Sequence, residues 1–219
     1  MSTDHIPYQP IQFTNEDREK QAQAYDEFMN RRRTVRNFSD QPVSRKVIGH
    51  LIMTASSAPS GAHKQPWTFC AVSDPDTKKA IRKAAEKEEY DSYHGRMSER
   101  WLEDLKPIGT NWEKPFLEEA PWLIVVFKKV YDRIDGTKAS NYYVNESVGI
   151  ACGFLISAIH NAGLVTVTHT PSPMNFLGKI LDRPEEERPY LLLPVGLPAK
   201  DAMVPNFKRK NLNQVSKWY

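Results

Sequence analysis

Trp122-Leu123-Ile124-Val125-Val126-Phe127 is an unbroken apolar run in a chain otherwise punctuated by charge. It is short, rich in β-branched residues and without alternation, so it reads as a strand covered on both faces. Residues 145–162 are apolar nearly all round over a helical length, which predicts a buried helix. Gly149 and Gly153 lie one turn apart within it, where another backbone could approach, and Gly163 is placed to cap its end. Trp67–Val72 and residues 164–168 and 190–195 read as further strands, the first closed by a turn at Asp74-Pro75-Asp76.

Helices fill the intervals. Residues 16–33 predict a charged helix that runs into Arg31-Arg32-Arg33. Ser44 can cap a second, with Val43 and Ile48 spaced as a hydrophobic staple and Val47, Ile48, Leu51, Ile52 and Ala55 on one face. That helix stops near Ala58-Pro59-Ser60-Gly61, because a residue before proline avoids the helical region. A long charged helix is predicted from about residue 77 to 105. Residues 1–13 read as an irregular arm, and the chain after Gly196 as an extended, basic tail. Long helices mixed with short buried strands imply an α+β fold.

Bulk composition narrows the function classes. The 219 residues suit one substantial domain, and five tryptophans fit a globular chain. A net charge of +3 is too small to argue for nucleic acid. Six histidines and two cysteines show no metal-ligand spacing. Cys70 and Cys152 sit in apolar runs and read as buried free thiols, which points to a reducing, cytoplasmic setting. No signal peptide and no membrane span is expected, since the longest apolar run falls well short of ~20 residues.

Several residues could carry chemistry, each with a plain structural alternative. Arg32, Arg33 and Arg36, with the Thr34 hydroxyl, could bind phosphate through charge-assisted bonds, or could complement a helix end. Pro59, Ser60 and Gly61 form a turn that could meet a ligand or merely connect two elements. Glu89 and Tyr93 share a helix face that Met97 and Trp101 extend, able to hold an ammonium or simply to face solvent. Lys114 is unremarkable alone. Alternation puts Thr166, Thr168 and Thr170 on one side of a strand; His169 between them could be a ligand or a base, with a spacer or surface role as the favoured reading.

Taken in order, these segments resemble the nitroreductase superfamily, and within it the iodotyrosine deiodinases. The resemblance is carried by residues 31–36, 58–63 with Gln65-Pro66-Trp67, Arg100-Trp101 through Thr110-Asn111-Trp112, residues 147–153 and 161–168, Leu193-Pro194-Val195-Gly196, and Lys208-Arg209-Lys210 before Leu212. It implies a nitroreductase-like α+β fold with a mixed central sheet flanked by helices, an intertwined homodimer, and a wrapping C-terminal tail. Residues 1–15 would be an arm and 16–219 a single FMN-binding domain, with a lid at about 84–115 and an extension at about 197–219. Arg32, Arg33, Thr34, Arg36 and Arg209 match the flavin phosphate segments. Pro59, Ser60 and Gly61 match a flavin segment given by the partner subunit. Thr168, His169 and Thr170 match a third, in which the Thr170 hydroxyl meets flavin N5 as the catalytic contact. Glu89, Tyr93 and Lys114 match the trio that holds an amino acid zwitterion, and the Ala62 N–H would meet the phenolate oxygen.

The activity so implied is FMN-dependent reductive dehalogenation of mono- and diiodotyrosine, with bromo- and chlorotyrosine, using an external electron donor that is NAD(P)H-linked or another reductase. A general FMN-dependent nitroreductase or quinone reductase is the alternative, and has no need of a zwitterion clamp. A non-catalytic flavin- or nucleic-acid-binding protein would use the two basic clusters instead. Two departures stand out: Thr34 occupies a position where serine is frequent, and His169 one where threonine is expected. The membrane anchor of vertebrate members is not expected here, so the soluble bacterial type is the closer comparison.

Overall fold

The computed structural model describes residues 5–219. Chain contacts separate two compact units, Met1–Arg32 and Arg33–Tyr219. In the first, residues 5–14 are irregular, and residues 1–4 of the expected arm lie outside the described residues. Helix α1 spans Asn15–Asn30, with Thr14 and Asp17 forming a reciprocal capping box. It ends before the arginines rather than running into them, and buries no residue.

The second unit contains, in chain order, α2 (Arg45–Ser56), β1 (Trp67–Val72), α3 (Pro75–Asp91), α4 (Glu99–Leu105), α5 (Phe116–Glu119), β2 (Trp122–Lys129), β3 (Tyr131–Ile134), β4 (Thr137–Ser140), α6 (Val144–Asn161), β5 (Val165–Thr166), α7 (Asn175–Ile180), β6 (Glu187–Gly196) and α8 (Leu212–Val215). The main sheet runs β1-β2-β6-β5 with every strand pair antiparallel. The sheet is therefore antiparallel rather than the mixed one expected, and the one parallel pairing among the described residues is the isolated Thr34–Thr166 bridge.

The run at 122–127 lies at the heart of this sheet. Leu123, Val125 and Phe127 pack on one face with Ile81, Leu117 and Leu177. Ile124 and Val126 pack on the other with Leu51, Leu155 and Ile159. Strand alternation therefore divides one apolar segment between two cores, and this accounts for the absence of polar residues in it. The resulting layers are helices on both faces of an antiparallel sheet.

Local signals explain most boundaries. The Ser44 hydroxyl accepts from the Val47 N–H at 3.3 Å, and Ile48, Leu51 and Ala55 of α2 are buried. The predicted turn at Asp74-Pro75-Asp76 is instead a helix start: Asp74 accepts from the Thr77 N–H at 2.8 Å and Pro75 opens α3. The single long helix predicted to residue 105 is broken. A π-helical turn over Ser92–Arg96 follows α3, Met97 is extended, and Ser98 caps a new helix through the Trp101 N–H. The β3–β4 hairpin went unpredicted, although Asp135 (φ 49°) and Gly136 (φ 78°) form the double positive-φ turn that Asp-Gly favours.

Helix α6 is only partly the all-round buried helix expected. Val148, Cys152, Leu155 and Ile159 are buried, while Ile150 and Phe154 are 43% and 39% exposed. Gly149 does admit close approach, to the Tyr190 hydroxyl, whereas Gly153 faces open space. Both cysteines are free, but only Cys152 is buried, its thiol pushed up to about 12 by burial, while Cys70 is half-buried against expectation. Among the described residues no helix is long and apolar enough to cross a membrane.

Candidate active site

Four pieces of chain converge on one cavity of about 170 Å³, lined among others by Arg36, Glu89, Tyr93, Lys114, Thr168, His169 and Thr170. Arg36 lies just beyond the Thr34 bridge to β5. Glu89 sits in the last turn of α3, and Tyr93 one turn on, inside the π-helical segment. The widened turn keeps both on one side, so the predicted stripe through Met97 and Trp101 reaches the cavity despite the broken helix. Lys114 immediately precedes α5, whose Phe116 and Leu117 are core residues that fix its backbone.

Charge is arranged tightly here. The Lys114 ammonium lies 3.2 Å from Glu89 Oε2, with both side chains nearly sealed from solvent. It also donates to the Asn111 carbonyl and stands 5.4 Å from the centre of the Tyr93 ring. The Tyr93 hydroxyl donates to the Thr110 carbonyl at 3.4 Å. Desolvation lowers the Lys114 pKa, against the opposing pull of Glu89. Desolvation likewise raises that of Tyr93, with Glu89 adding to the effect. Arg36 is half-buried and lowered by desolvation, opposed by the Tyr93 phenol rather than by any carboxylate. A desolvated cation with no carboxylate counterion among the described residues suits an anionic ligand. Perturbed ionisable groups gathered in one cavity mark a functional site.

His169 is the residue that sequence reasoning placed wrongly. It is buried, not a surface spacer. Its backbone exchanges two hydrogen bonds with Leu192 of β6, of 2.9 and 3.1 Å, which turns its ring away from the exposed Thr168 and Thr170. The ring meets Phe116 edge-on at 5.6 Å. Desolvation first, then Lys114 and Arg36, push its pKa down to about 3. The 4.0 Å approach of Nδ1 to Glu89 Oε1 is therefore not an ion pair near neutral pH.

A stability prediction follows from this burial. Unfolded histidine titrates near 6.5 and folded His169 near 3, so between those values the unfolded chain takes up a proton that the native chain refuses. This contribution is complete above pH 6.5 and is lost as pH falls toward 3, with a slope of up to ~1.4 kcal/mol per pH unit. Urea unfolding at pH 7, 6 and 5 should show that His169→Asn removes this part of the slope. Equal slopes in both proteins would contradict a neutral buried ring.

Other expected residues lie elsewhere. Arg33 donates to the Pro205 carbonyl, and Pro205 lines a neighbouring cavity that shares Arg36, Thr110 and Phe116 with the first. Thr34 bridges Thr166 through its backbone. Arg209 is exposed in the tail, and the expectation for Arg32, which ends the first unit, rests on sequence alone. Thr166 is buried, so the three threonines do not form one exposed row. Pro59, Ser60, Gly61 and Ala62 do not line the cavity. Gly61 instead allows close approach of its own chain: a Cβ there would sit 3.1 Å from the Tyr142 carbonyl oxygen. Ala62 (φ 48°), His63 (φ 54°) and Gln65 (φ 47°) all adopt the left-handed region, a concentration of strain that often accompanies ligand contacts. Sequence reasoning missed Ser92, Phe116 and Ser172 of the lining, none of which carries a distinguishing local pattern.

Comparisons with known proteins bear on the family and the fold. The model described as "Nitroreductase family" matches residues 29–197. An iodotyrosine deiodinase of Haliscomenobacter hydrossis is 64% identical, across 94% of this chain and 93% of that protein. Human iodotyrosine deiodinase 1 is 47% identical, across 98% of this chain and 75% of that protein. Among solved structures, an oxidized iodotyrosine deiodinase bound to FMN and 3-iodo-L-tyrosine superposes with a TM-score of 0.76 at 33% identity, covering 86% of this chain and 95% of that one.

Proposed function

The chain belongs to the nitroreductase family and to the iodotyrosine deiodinases within it, and from that membership we propose FMN-dependent reductive dehalogenation of halotyrosines as its activity. The observation that carries the reading is the sealed Glu89–Lys114 pair beside Tyr93, in the cavity that also holds Thr168, Thr170 and Arg36. A reductase of simple nitroaromatics would gain nothing from burying such a pair. An amino acid zwitterion would exchange with it: ammonium to Glu89, carboxylate to Lys114, with Tyr93 closing over the ring. Burial then makes the clamp selective, since a ligand without either charge leaves its partner unpaired.

The residues fit an anionic flavin. Arg36 is a desolvated cation with no carboxylate partner among the described residues, and the exposed Thr168 and Thr170 offer hydroxyls from the cavity wall; the family resemblance adds Arg33 and Arg209, which do not line this cavity. FMN, when bound, supplies the electrons. Two electrons and one proton replace the carbon–halogen bond with carbon–hydrogen and release halide. Lys114 and Glu89 would orient the substrate and the lid exclude water, while the Ala62 N–H, which lies outside its own chain's cavity, would meet the phenolate oxygen only across a dimer interface. The reading extends to a homodimer, supported by exposed Ile150, Gly153 and Phe154 on α6 and by a strained Ser60–Ala62 turn that lies outside its own chain's cavity. Cytoplasmic residence and an external reductant, NAD(P)H-linked or a separate reductase, complete it; the free thiols support the former.

Anaerobic reduction of the yellow purified protein followed by 3-iodotyrosine is the direct test. Flavin reoxidation with stoichiometric iodide release is expected. Reoxidation by nitroaromatics but not by iodotyrosine would return the protein to the general reductases.

A further inference from the structure

Beneath the Glu89–Lys114 pair, His169 presents an imidazole for which the proposed chemistry has no use. Glu89 divides its carboxylate between two neighbours: Oε2 faces Lys114 at 3.2 Å, and Oε1 faces His169 Nδ1 at 4.0 Å. The opposite ring nitrogen, Nε2, is buried and has no hydrogen-bond partner among the described residues. Phe116 packs on the ring edge-on, and the paired backbone bonds to Leu192 fix where the ring can be.

We propose that His169 is a positioning residue for Glu89: a neutral imidazole whose Nδ1–H orients the carboxylate to receive the substrate ammonium. This rests on the halotyrosine reading above. A neutral imidazole has one donor and one acceptor nitrogen. Hydrogen on Nδ1 points a donor at the carboxylate; hydrogen on Nε2 would point a lone pair at it and strand a buried N–H. Stranded buried donors are rarer than under-used acceptors, so both nitrogens favour the Nδ1–H form.

Neutrality matters as much as direction. The charged groups around the ring are Glu89, Lys114 and Arg36, and the two cations oppose its protonation. A protonated His169 would be a second cation against Glu89 and would compete with the incoming ammonium. A neutral donor steers the carboxylate and leaves its charge available. The 4.0 Å separation is longer than a hydrogen bond while Lys114 holds Oε2. Once Lys114 transfers to the substrate carboxylate, Glu89 is released to turn toward the ring.

The test compares the FMN-loaded wild type with His169→Leu, which removes the donor, and His169→Asn, which restores an N–H near the Nδ1 position. His169→Leu should raise the KM for 3-iodotyrosine about tenfold, more than it lowers kcat, and leave the affinity for 2-iodophenol within about twofold. His169→Asn should recover most of the loss. Nitrogen-15 spectra of wild type should show an Nδ1-protonated ring that does not titrate between pH 8 and 5. Equal weakening of iodotyrosine and iodophenol would reduce His169 to packing. So would an asparagine variant no better than the leucine one, or an Nε2–H ring. If His169→Leu fails to fold, the asparagine variant and the spectrum still decide. A wild type that ignores iodotyrosine overturns the proposed function itself, whereas an active wild type matched by His169→Leu overturns this inference alone.

Discussion

Glu89→Gln is expected to weaken 3-iodotyrosine binding tenfold or more while changing 2-iodophenol binding less than twofold. The substitution keeps size and shape, so the cores around Ile81 and Ala85 on the same helix stay filled. What it removes is the carboxylate that faces Lys114 at 3.2 Å and would face the substrate ammonium. Without it the ammonium enters a cavity bordered by Lys114 and Arg36, two cations, and meets repulsion where it met attraction. Lys114 also changes. Its pKa already lies below the ordinary 10.5, and Glu89 is the first influence holding it up, so the variant moves it lower still. Leaving one member of a sealed pair alone should cost about 3 kcal/mol of folding stability. Removing Lys114 as well should return part of that loss, since two neutral side chains strand no charge. Flavin fluorescence quenching by the two ligands measures the first effect, and urea unfolding of both single variants and the double variant measures the second. An unchanged iodotyrosine dissociation constant would dismiss the clamp.

How far this site was legible in the sequence varied from residue to residue. The run at 122–127 declared its central place because both of its faces are covered, and burial on two faces removes polar residues from a strand. The β3–β4 hairpin left no such trace: Tyr131–Ile134 and Thr137–Ser140 are mostly exposed, so only Asp135-Gly136 announced them. Residues 77–105 are charged enough to suggest one helix throughout. Yet Gly95 weakens the interior, Ser98 caps a new start, and Arg96 leaves the axis to meet Glu88 at 2.7 Å and the Ser172 carbonyl at 3.0 Å. Glu89 and Tyr93 share the cavity because spacing of four survives a widened turn, but spacing alone allowed a solvent face, and their role as a pair came from the family resemblance. Lys114 carried no local signal, since what makes it notable is burial beside a residue 25 positions earlier, and pairing at that range is a property of the fold. His169 was misjudged for a related reason. Alternation along a strand places it opposite Thr168 and Thr170, but only the tertiary structure reveals that the opposite side is filled by Phe116 and Glu89 rather than by water.

Thr170→Ala should carry the largest kinetic effect, lowering dehalogenation about 10²-fold while leaving nitroaromatic reduction within a few-fold. Thr168 and Thr170 are exposed to the cavity on the side opposite the His169 ring, just before Pro171 ends the segment. The position of the pair is fixed by the His169–Leu192 bridge, so the hydroxyl is presented by sheet-anchored backbone rather than by a free loop. The family resemblance implies that this hydroxyl would donate to flavin N5 when FMN is bound. A preorganised donor that strengthens only as electrons move is worth ~10²–10³ in rate when removed, the magnitude seen for single oxyanion-hole donors. Such a donor would matter most where bound FMN gave up its electrons singly, and least where it passed a hydride to an accepting group. The substitution therefore separates the two chemistries that a flavin reductase can support. Thr170→Ser, which retains the hydroxyl, should keep most of the dehalogenation. Iodide release and nitro reduction measured on the same reduced preparation give the ratio directly. Equal losses in both activities would mean that Thr170 only shapes the cavity. A selective loss rescued by serine would place the hydroxyl at the electron-transfer step, while Glu89 and Lys114 govern which molecule reaches it.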